Sequence, residues 1–451
     1  MKVISLFAGC GGLDLGFTNA GFNVVWANEF DKDIQQTFLA NNETTFLDTR
    51  DIRTIPSADI PFCDGIIGGP PCQPWSEGGK QLGLSDDRGK LFWDYIRIIS
   101  EKRPKFFVLE NVRGILSDKH INAFNLFISK FEELGYNVSY KVLNAADFGV
   151  PQDRFRLFIV GFISDLDVQY TFPLIDGIRK KTLKEAIGDI TYQPNFYSES
   201  DIVRVYNDMS NHDVYLGDYD KKYMARNRVR SWNEVSFTIQ ALARNAPIHP
   251  QAPKMQFISY DKRIFVQGCE HLYRRLSVRE CARIQSFPDS FKFIYSKINV
   301  GYKMVGNAVP PLLAFHIAES ILNAFDSKRH ANINVLVGYY KGPRHLKLIL
   351  SNMMYYIPYT DETEKWVNNG LTFNYLLIHY KMDKHLFKLK PKKPSICNRE
   401  RLRKVGFNPN SNTYILFDIC PINDIGPADL IEKISAIHIK STYKPYIIQI
   451  S

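Results

Sequence analysis

The sequence KVISLFAGCGG at residues 2–12 joins a β-branched, apolar run directly to a glycine-rich turn. Glycines at such a turn let backbone amides approach a ligand, and Glu29, at the end of the next apolar run, is spaced to reach a ribose diol. The spacing differs from G-x-G-x-x-G, so the same residues also fit a tight strand-to-helix turn with a surface glutamate. The stretch predicts a strand, a turn and a helix, and leaves the ligand open.

Short apolar runs alternate with helix-like stretches over the first third of the chain. Further runs lie at residues 23–27, 65–67, 106–109 and 157–162, and helix-like stretches at 31–40 and 89–100. Alternation of this kind predicts an α/β fold, in which helices cover both faces of a parallel-type sheet.

This alternation fades near residue 165 and resumes near residue 271. The stretch between them is rich in Tyr, Asn, Asp, Pro and scattered Arg. Helix-like residues 277–285 and 311–325 follow, and the polar residues 326–330 are expected to form a linker. The predicted organisation is an α/β domain at 1–165, a smaller irregular domain at 166–270, a return to the α/β domain at 271–326 and a C-terminal α+β extension at 327–451.

The composition excludes several classes of protein. The chain has 451 residues, 45% of them apolar, and its seven cysteines form no C-x-x-C pair, so neither a disulfide scaffold nor a zinc site is predicted. The sequence shows no basic leader and no apolar run near the roughly 18 residues of a membrane span. A reducing, cytoplasmic location without membrane contact is expected.

The net charge of +10 is unevenly distributed. Residues 327–451 carry 19 Lys and Arg against 9 Asp and Glu, and subtraction from the totals of 57 and 47 leaves 38 of each sign in residues 1–326. The basic excess therefore belongs to the extension, where it favours an anionic partner.

Three further motifs carry groups suited to catalysis. GGPPCQPWS at residues 68–76 holds Cys72 at the expected carboxyl end of a strand, where a thiol of lowered pKa is a nucleophile; an isolated cysteine is more often inert. FFVLENV at residues 106–112 puts Glu110 at the end of a buried strand, as either a proton donor or an Arg-paired structural residue. QDRFR at residues 152–156 puts Arg154 and Arg156 on one strand face, as a clamp for a carbonyl or a thiolate, or as a solvated basic edge.

Six blocks together resemble the cytosine-C5 DNA methyltransferases, and the likeness is strongest to the bacterial enzymes that partner restriction nucleases. The blocks are FAGCGG, GGPPCQPWS, FVLENV, QDRFR, RRLSVRECARIQSFP at residues 274–288 and GYKMVGNAVP at residues 301–310. Their order and spacing match the family over residues 3–325.

The resemblance implies a mechanism. Cys72 would add to C6 of a flipped-out cytosine, and Glu110 would hold the pyrimidine N3 and amino group. C5 then takes the methyl group of S-adenosylmethionine, and loss of the C5 proton and of Cys72 gives 5-methylcytosine. Arg156 would hold the cytosine carbonyl, while Arg154 and Asn111 would support the loop and the acid. No metal is expected, because the sulfonium already activates the methyl group.

The resemblance also implies a cofactor pocket. Glu29 would bind the ribose, and Asp51, which by itself also fits a cap or turn residue, would lie with Ile52 at the adenine. The other residues implied for the pocket are Phe7, Gly9, Gly11, Pro70, Leu91, Asn307 and Val309.

The irregular domain corresponds to the target-recognition region of the family. Arginine reads guanine and asparagine reads adenine in the major groove, although a single arginine equally fits a phosphate contact. The candidate readers are Arg226, Asn227, Arg228, Arg230 and Arg244. Their arginine-rich pattern suggests a site containing guanine, and the segment is similar to those of members that methylate within GGCC. A monomer acting on double-stranded DNA, paired in function with a restriction endonuclease, is expected.

Two alternatives stay open at this point. An RNA cytosine-C5 methyltransferase would share Cys72 and Glu110, but relatives of that kind have a more compact recognition region. A catalytically inactive DNA-binding regulator would not need the full set of motifs. The extension fits a folded unit with non-specific DNA affinity or a contact to a partner nuclease, since its acids show no nuclease-type spacing.

Overall fold

The computed structural model describes residues 1–71, 87–166, 168, 170–174, 179–203, 211–330, 333–352, 354–358, 360, 375–380, 383–389, 395–404, 413–420 and 446–450. The chain divides into two compact units, Met1–Ala324 and Phe325–Ser451. The boundaries predicted inside the first unit, at residues 165 and 270, stay predictions.

A seven-stranded sheet forms the centre of the first unit. Its described strands are β1 (Lys2–Leu6), β2 (Asn23–Asn28), β3 (Phe46–Asp48), β4 (Gly65–Gly68), β5 (Phe106–Val112), β6 (Tyr136–Asn144) and β7 (Phe155–Ile163). The spatial order is β3-β2-β1-β4-β5-β7-β6, and β7 runs antiparallel to both of its neighbours while the other pairs are parallel. The predicted α/β fold is confirmed, with one antiparallel strand in the sheet.

Helices pack on this sheet and connect its strands. The described helices of the first unit, with the last one ending beyond Ala324, are α1 (Gly12–Asn19), α2 (Lys32–Asn41), α3 (Asp87–Lys102), α4 (Ile121–Glu133), α5 (Leu183–Ile187), α6 (Lys221–Met224), α7 (Val278–Ile284), α8 (Ile298–Asn307) and α9 (Pro311–His330). Phe92 of α3 stacks on Phe127 of α4 with ring centroids 3.8 Å apart, and both rings are buried. Gly16 of α1 has no room for a side chain, since a Cβ there would lie 2.3 Å from Ala314 Cβ. The absence of a side chain at Gly16 therefore lets α1 pack closely against α9.

The linker predicted at residues 326–330 is wrong. These residues continue α9 to His330. The sequence DSKRH contains neither glycine nor proline and includes lysine and arginine, which propagate a helix well. A polar composition alone does not end a helix.

Between β7 and α7 the described backbone has little regular structure. β8 (Asn195–Tyr197) pairs in parallel with β9 (Asp213–Tyr215), and β10 (Gln256–Ser259) pairs with β11 (Lys262–Ile264) in an exposed hairpin. A small separate core contains Tyr223, Val229, Ile248, Ala252, Met255 and Tyr273.

The second unit is built on a mixed sheet. Its described strands and helices are β12 (Ile333–Tyr339), α10 (Pro343–Asn352), β13 (Met354–Pro358), β14 (Tyr375–Tyr380), β15 (Asp383–Leu389), β16 (Ser395–Asn398), α11 (Arg399–Lys404), β17 (Thr413–Cys420) and β18 (Tyr446–Ile450). The order is β13-β17-β15-β14-β12-β18, with β16 also pairing with β17. β12 and β14 are parallel, and the other pairs are antiparallel. The extension is therefore a folded α+β unit.

One helical stretch among the described residues, Ile298–Phe325, is long and apolar enough to cross a membrane by composition. Its apolar side chains, among them Tyr302, Val305, Leu313 and Ile317, are buried within the first unit. Burial of this kind is typical of helices in the core of a protein.

Candidate active site

A cavity of about 520 Å³ opens at the carboxyl ends of β1, β2, β4 and β5. Ligands of open α/β sheets bind at this edge, and the volume suits a cofactor-sized molecule. The cavity brings together residues from widely separated motifs. Those predicted from sequence that line it are Phe7, Gly9, Glu29, Asp51, Ile52, Pro70, Leu91, Glu110, Arg156, Asn307 and Val309.

The glycine turn after β1 forms one wall of this cavity. Gly9 has a φ of +58°, and a Cβ at this position would meet no atom within 4 Å, so its backbone faces open space. Gly11, also predicted to line the pocket, instead caps the start of α1 with a φ of 91° and is not among the lining residues. At Gly9 the turn thus presents its backbone to a ligand.

Glu29 is held in a fixed orientation at the end of β2. Its Oε2 accepts a hydrogen bond from Gly9 N at 2.8 Å, and its Oε1 accepts one from Asp31 N at 2.7 Å. Burial raises the pKa of this carboxyl above its ordinary value, while the backbone amides lower it. Each carboxylate oxygen retains acceptor capacity, so the group is suited to bind hydroxyls.

Asp51 and Ile52 occupy the opposite wall. The Asp51 carboxylate accepts hydrogen bonds from Arg53 N and Nε, both at 3.0 Å, and the pairing with Arg53 lowers its pKa. Ile52 is buried and supplies an apolar surface beside it. This wall combines one acid with an apolar contact.

Glu110 lies at the end of β5 and is 9% exposed. Its Oε1 is 2.9 Å from Arg156 Nε. The strand register explains the pair: Val112 of β5 lies opposite Arg156 of β7, so the Arg156 side chain is a diagonal neighbour of Glu110. Burial raises the pKa of Glu110, and this effect outweighs the lowering by Arg156 and Arg154.

Asn111 and Arg154 stabilise the loops around this pair. Asn111 Nδ2 donates to Pro70 O at 3.3 Å, which connects the end of β5 to the segment preceding Cys72. Arg154 is fully buried and donates to the carbonyl oxygens of Ile239, Gly306 and Ala308 at 2.9–3.1 Å. The expectation that Arg154 and Arg156 form one clamp is therefore wrong, because Arg154 precedes β7 and points into the protein.

Cys72, the predicted nucleophile, lies outside the described residues. The residue before it, Pro71, lines the cavity.

Phe30 and Lys303 are among the lining residues that escaped the sequence interpretation. Phe30, between Glu29 and Asp31, is 62% exposed and offers an aromatic face at the cavity. Lys303 belongs to GYKMVGNAVP and lines the same cavity from α8. An exposed aromatic next to the ribose-spaced acid is the signal that would have identified Phe30.

The five predicted DNA-reading residues divide into two groups. Arg226 and Arg244 are exposed. The other three are engaged within the protein: Arg228 donates to Tyr223 O, Arg230 pairs with Asp153 and Glu234, and Asn227 binds the backbone of Val229 and Met255. Among the five candidates, Arg226 and Arg244 are thus the residues most accessible to a partner.

The sheet order, the antiparallel seventh strand and the cavity at the carboxyl edge define an α/β, Rossmann-like methyltransferase fold. The chain is similar to the crystal structure of a protein described as a DNA modification methyltransferase encoded within an E. coli prophage, with a TM-score of 0.57, 24% identity, and coverage of 72% of this chain and 99% of that one. It is also similar to the methyltransferase EhMeth of Entamoeba histolytica, with a TM-score of 0.52, 16% identity, and coverage of 72% and 98%. These likenesses concern the fold.

Residues 1–323 match the C-5 cytosine-specific DNA methylase family, and the chain belongs to that family. It is 50% identical over 333 residues to the type II methyltransferase M.FnuDI of Fusobacterium nucleatum, covering 73% of this chain and 96% of the relative. It is 48% identical over 330 residues to M.NgoPII of Neisseria gonorrhoeae, covering 71% and 95%. The protein is therefore a DNA cytosine-5 methyltransferase of the type II restriction–modification kind, and its extension lies beyond the family match.

Proposed function

We propose that the enzyme transfers a methyl group from S-adenosylmethionine to C5 of a cytosine flipped out of a short duplex site, GGCC. The methylated DNA would then be protected from a cognate restriction endonuclease. The observation that carries the proposal is a single cavity that contains both the ribose-spaced acid Glu29 and the buried Glu110–Arg156 pair. One cavity can thus hold the methyl donor next to the acceptor base. We further propose that the enzyme acts as a monomer in the cytoplasm.

The residues of the cavity fit the cofactor. A backbone wall open at Gly9, an oriented carboxylate at Glu29 and the apolar surface of Ile52 suit a sugar hydroxyl pair next to a planar base. Further contacts would come from Phe7, Asp51, Pro70, Leu91, Asn307 and Val309. When bound, S-adenosylmethionine supplies a methyl group activated by its sulfonium.

The chain's own residues would prepare the cytosine. Cytosine C5 is a poor nucleophile until a group adds to C6, and the Cys72 thiolate is the group we assign to that addition. Electron density would then move onto N3, where a protonated Glu110 donates its proton. The raised pKa of Glu110 supports this role, because burial keeps the carboxyl protonated at a pH where an ordinary glutamate is ionised. Arg156 would orient Glu110 and contact the cytosine carbonyl.

The reaction requires the base to leave the duplex, since C5 and C6 are covered by stacking. Extrusion costs a few kcal/mol, which contacts in the cavity must offset. A cavity of about 520 Å³ at the sheet edge fits one extruded base better than an intact helix.

The arginines at positions 226 and 244 are our candidates for guanine recognition. Arg226→Ala and Arg244→Ala should each lower methylation of the cognate site relative to other contexts by about 5- to 150-fold, because a bidentate arginine contributes about 1–3 kcal/mol of discrimination. The measurement is bisulfite sequencing of a plasmid treated with each variant.

Arg179→Ala serves as the matched control, since Arg179 is an exposed arginine that pairs with Glu185 at the surface. Wild-type methylation spread over contexts other than GGCC would refute the proposed target. Variants that retain full discrimination would refute the assignment of the two arginines.

The basic extension is proposed to bind DNA without sequence preference. Deletion of residues 331–451 removes most of the excess positive charge, so DNA binding should weaken and its dependence on salt should decrease while the target stays the same. Each phosphate contact that is lost reduces the magnitude of the negative slope of log K against log salt by about 0.9. Fluorescence anisotropy with a labelled duplex at several salt concentrations measures the slope, and an unchanged slope would count against the proposal.

A further inference from the structure

An ion pair crosses the wall of the cofactor cavity. Lys303 lies in α8, and its Nζ contacts Oδ2 of Asp31, the residue that precedes α2. The two residues are 272 positions apart in the chain. Both residues line the cavity. The contact thus connects the segment that follows β2 with the segment that carries Asn307 and Val309.

This pair is poorly suited to a purely stabilising role. The side chains of Lys303 and Asp31 are 37% and 30% exposed, and ion pairs in contact with solvent contribute about 0–1 kcal/mol. Asp31 also has a local function, because its Oδ1 accepts from Asp33 N at 3.2 Å and caps α2. Its second oxygen is the one that faces Lys303.

The same residue orients Glu29. Asp31 N donates to Glu29 Oε1 at 2.7 Å, while Gly9 N donates to Glu29 Oε2 at 2.8 Å. A displacement of Asp31 would remove one of these two anchors. Lys303 acts on Glu29 through its charge as well, because it lowers the pKa of a carboxyl that burial raises. The Asp31 carboxylate opposes this electrostatic effect by raising the pKa of Glu29, so what the Lys303–Asp31 contact favours is a single orientation of Glu29.

We propose that Lys303 is a positioning residue that acts through Asp31 to hold Glu29 aimed at the ribose hydroxyls of the cofactor. This inference rests on the proposed binding of S-adenosylmethionine. Lys303 would not contact the transferred methyl group, and its effect on cofactor affinity would depend on the ribose hydroxyls.

The test compares S-adenosylhomocysteine with its 2′-deoxyribose analogue by isothermal titration calorimetry. Loss of a hydroxyl bound to an ionised carboxylate should weaken binding to the wild-type enzyme by about 10- to 150-fold. Lys303→Met should weaken the binding of S-adenosylhomocysteine by about tenfold and leave the binding of the deoxy analogue nearly unchanged. The ratio of the two dissociation constants should therefore shrink. Lys303→Arg should restore the wild-type ratio, and Glu29→Gln should remove most of the discrimination.

Lys105→Met is the matched control, because Lys105 forms an exposed ion pair with Asp64 and is not among the residues that line the cavity. An equal loss of affinity for both ligands in Lys303→Met, or no loss for either, would overturn the positioning role. If Lys303→Met does not fold, an unchanged ratio in Lys303→Ala would overturn it as well. Failure of the wild-type enzyme to bind S-adenosylhomocysteine would instead refute the proposed cofactor.

Discussion

Cys72→Ala should abolish methyl transfer, with a loss of at least about 10⁴-fold, while DNA binding survives. Without a thiolate to add to C6, C5 of the cytosine stays too poor in electrons to take the methyl group, and alanine offers no substitute. Incorporation of labelled methyl groups into duplex DNA measures the loss, and anisotropy of a labelled duplex measures binding.

Cys269→Ala is the matched control for this experiment. Cys269 is a free, partly exposed cysteine at a short turn away from the lining of the cavity, so its removal should leave activity unchanged. Retained turnover in Cys72→Ala would contradict the assignment of the nucleophile. Loss of DNA binding together with activity would show that the substitution disrupts more than the chemistry.

Glu110→Gln is expected to lower the rate of methyl transfer by about 10²- to 10⁴-fold, the range that general acid catalysis contributes. Glutamine keeps the size of the side chain and can still contact the cytosine, but it has no proton to give to N3. Single-turnover kinetics with a saturating cofactor concentration isolate this step.

The pH dependence gives a second signature of the same residue. Burial raises the pKa of Glu110, so the carboxyl is protonated at low pH and ionises as the pH increases through that raised value. The wild-type rate should therefore fall on the alkaline side, and this limb should be absent in Glu110→Gln. Glu132→Gln, on the exposed surface of α4, is the control and should follow the wild-type profile. A full alkaline limb in Glu110→Gln would assign the titration to another group.

Much of the fold could be predicted because each strand that ends at the cavity is short, apolar and followed by a marked motif. The runs at residues 2–7, 65–67 and 106–109 correspond to β1, β4 and β5. β3 and β6 escaped detection for physical reasons. β3 has only three residues, and β6 mixes buried, partly buried and exposed residues, so neither shows a continuous apolar run. The antiparallel direction of β7 depends on pairing with β5, which no local pattern encodes.

The candidate site was predictable to the extent that the carboxyl ends of neighbouring strands meet at one edge. Glu29 and Glu110 line the same cavity for this reason. The family resemblance implied a supporting role for Arg154, but the carbonyl groups it binds lie 85 to 154 positions away in the chain and could not be predicted from local sequence. Likewise, Arg230 pairs with Asp153, which lies 77 positions away, and composition cannot separate such an arginine from an exposed one.

The most direct test of the central assignment is the identity of the methylated nucleoside. DNA treated with the enzyme and S-adenosylmethionine carrying a deuterated methyl group can be digested to nucleosides and measured by mass spectrometry. We expect labelled 5-methyl-2′-deoxycytidine in DNA treated with the wild-type enzyme, and none in DNA treated with Cys72→Ala. Label on the exocyclic amine of cytosine or adenine, or on RNA in place of DNA, would contradict it.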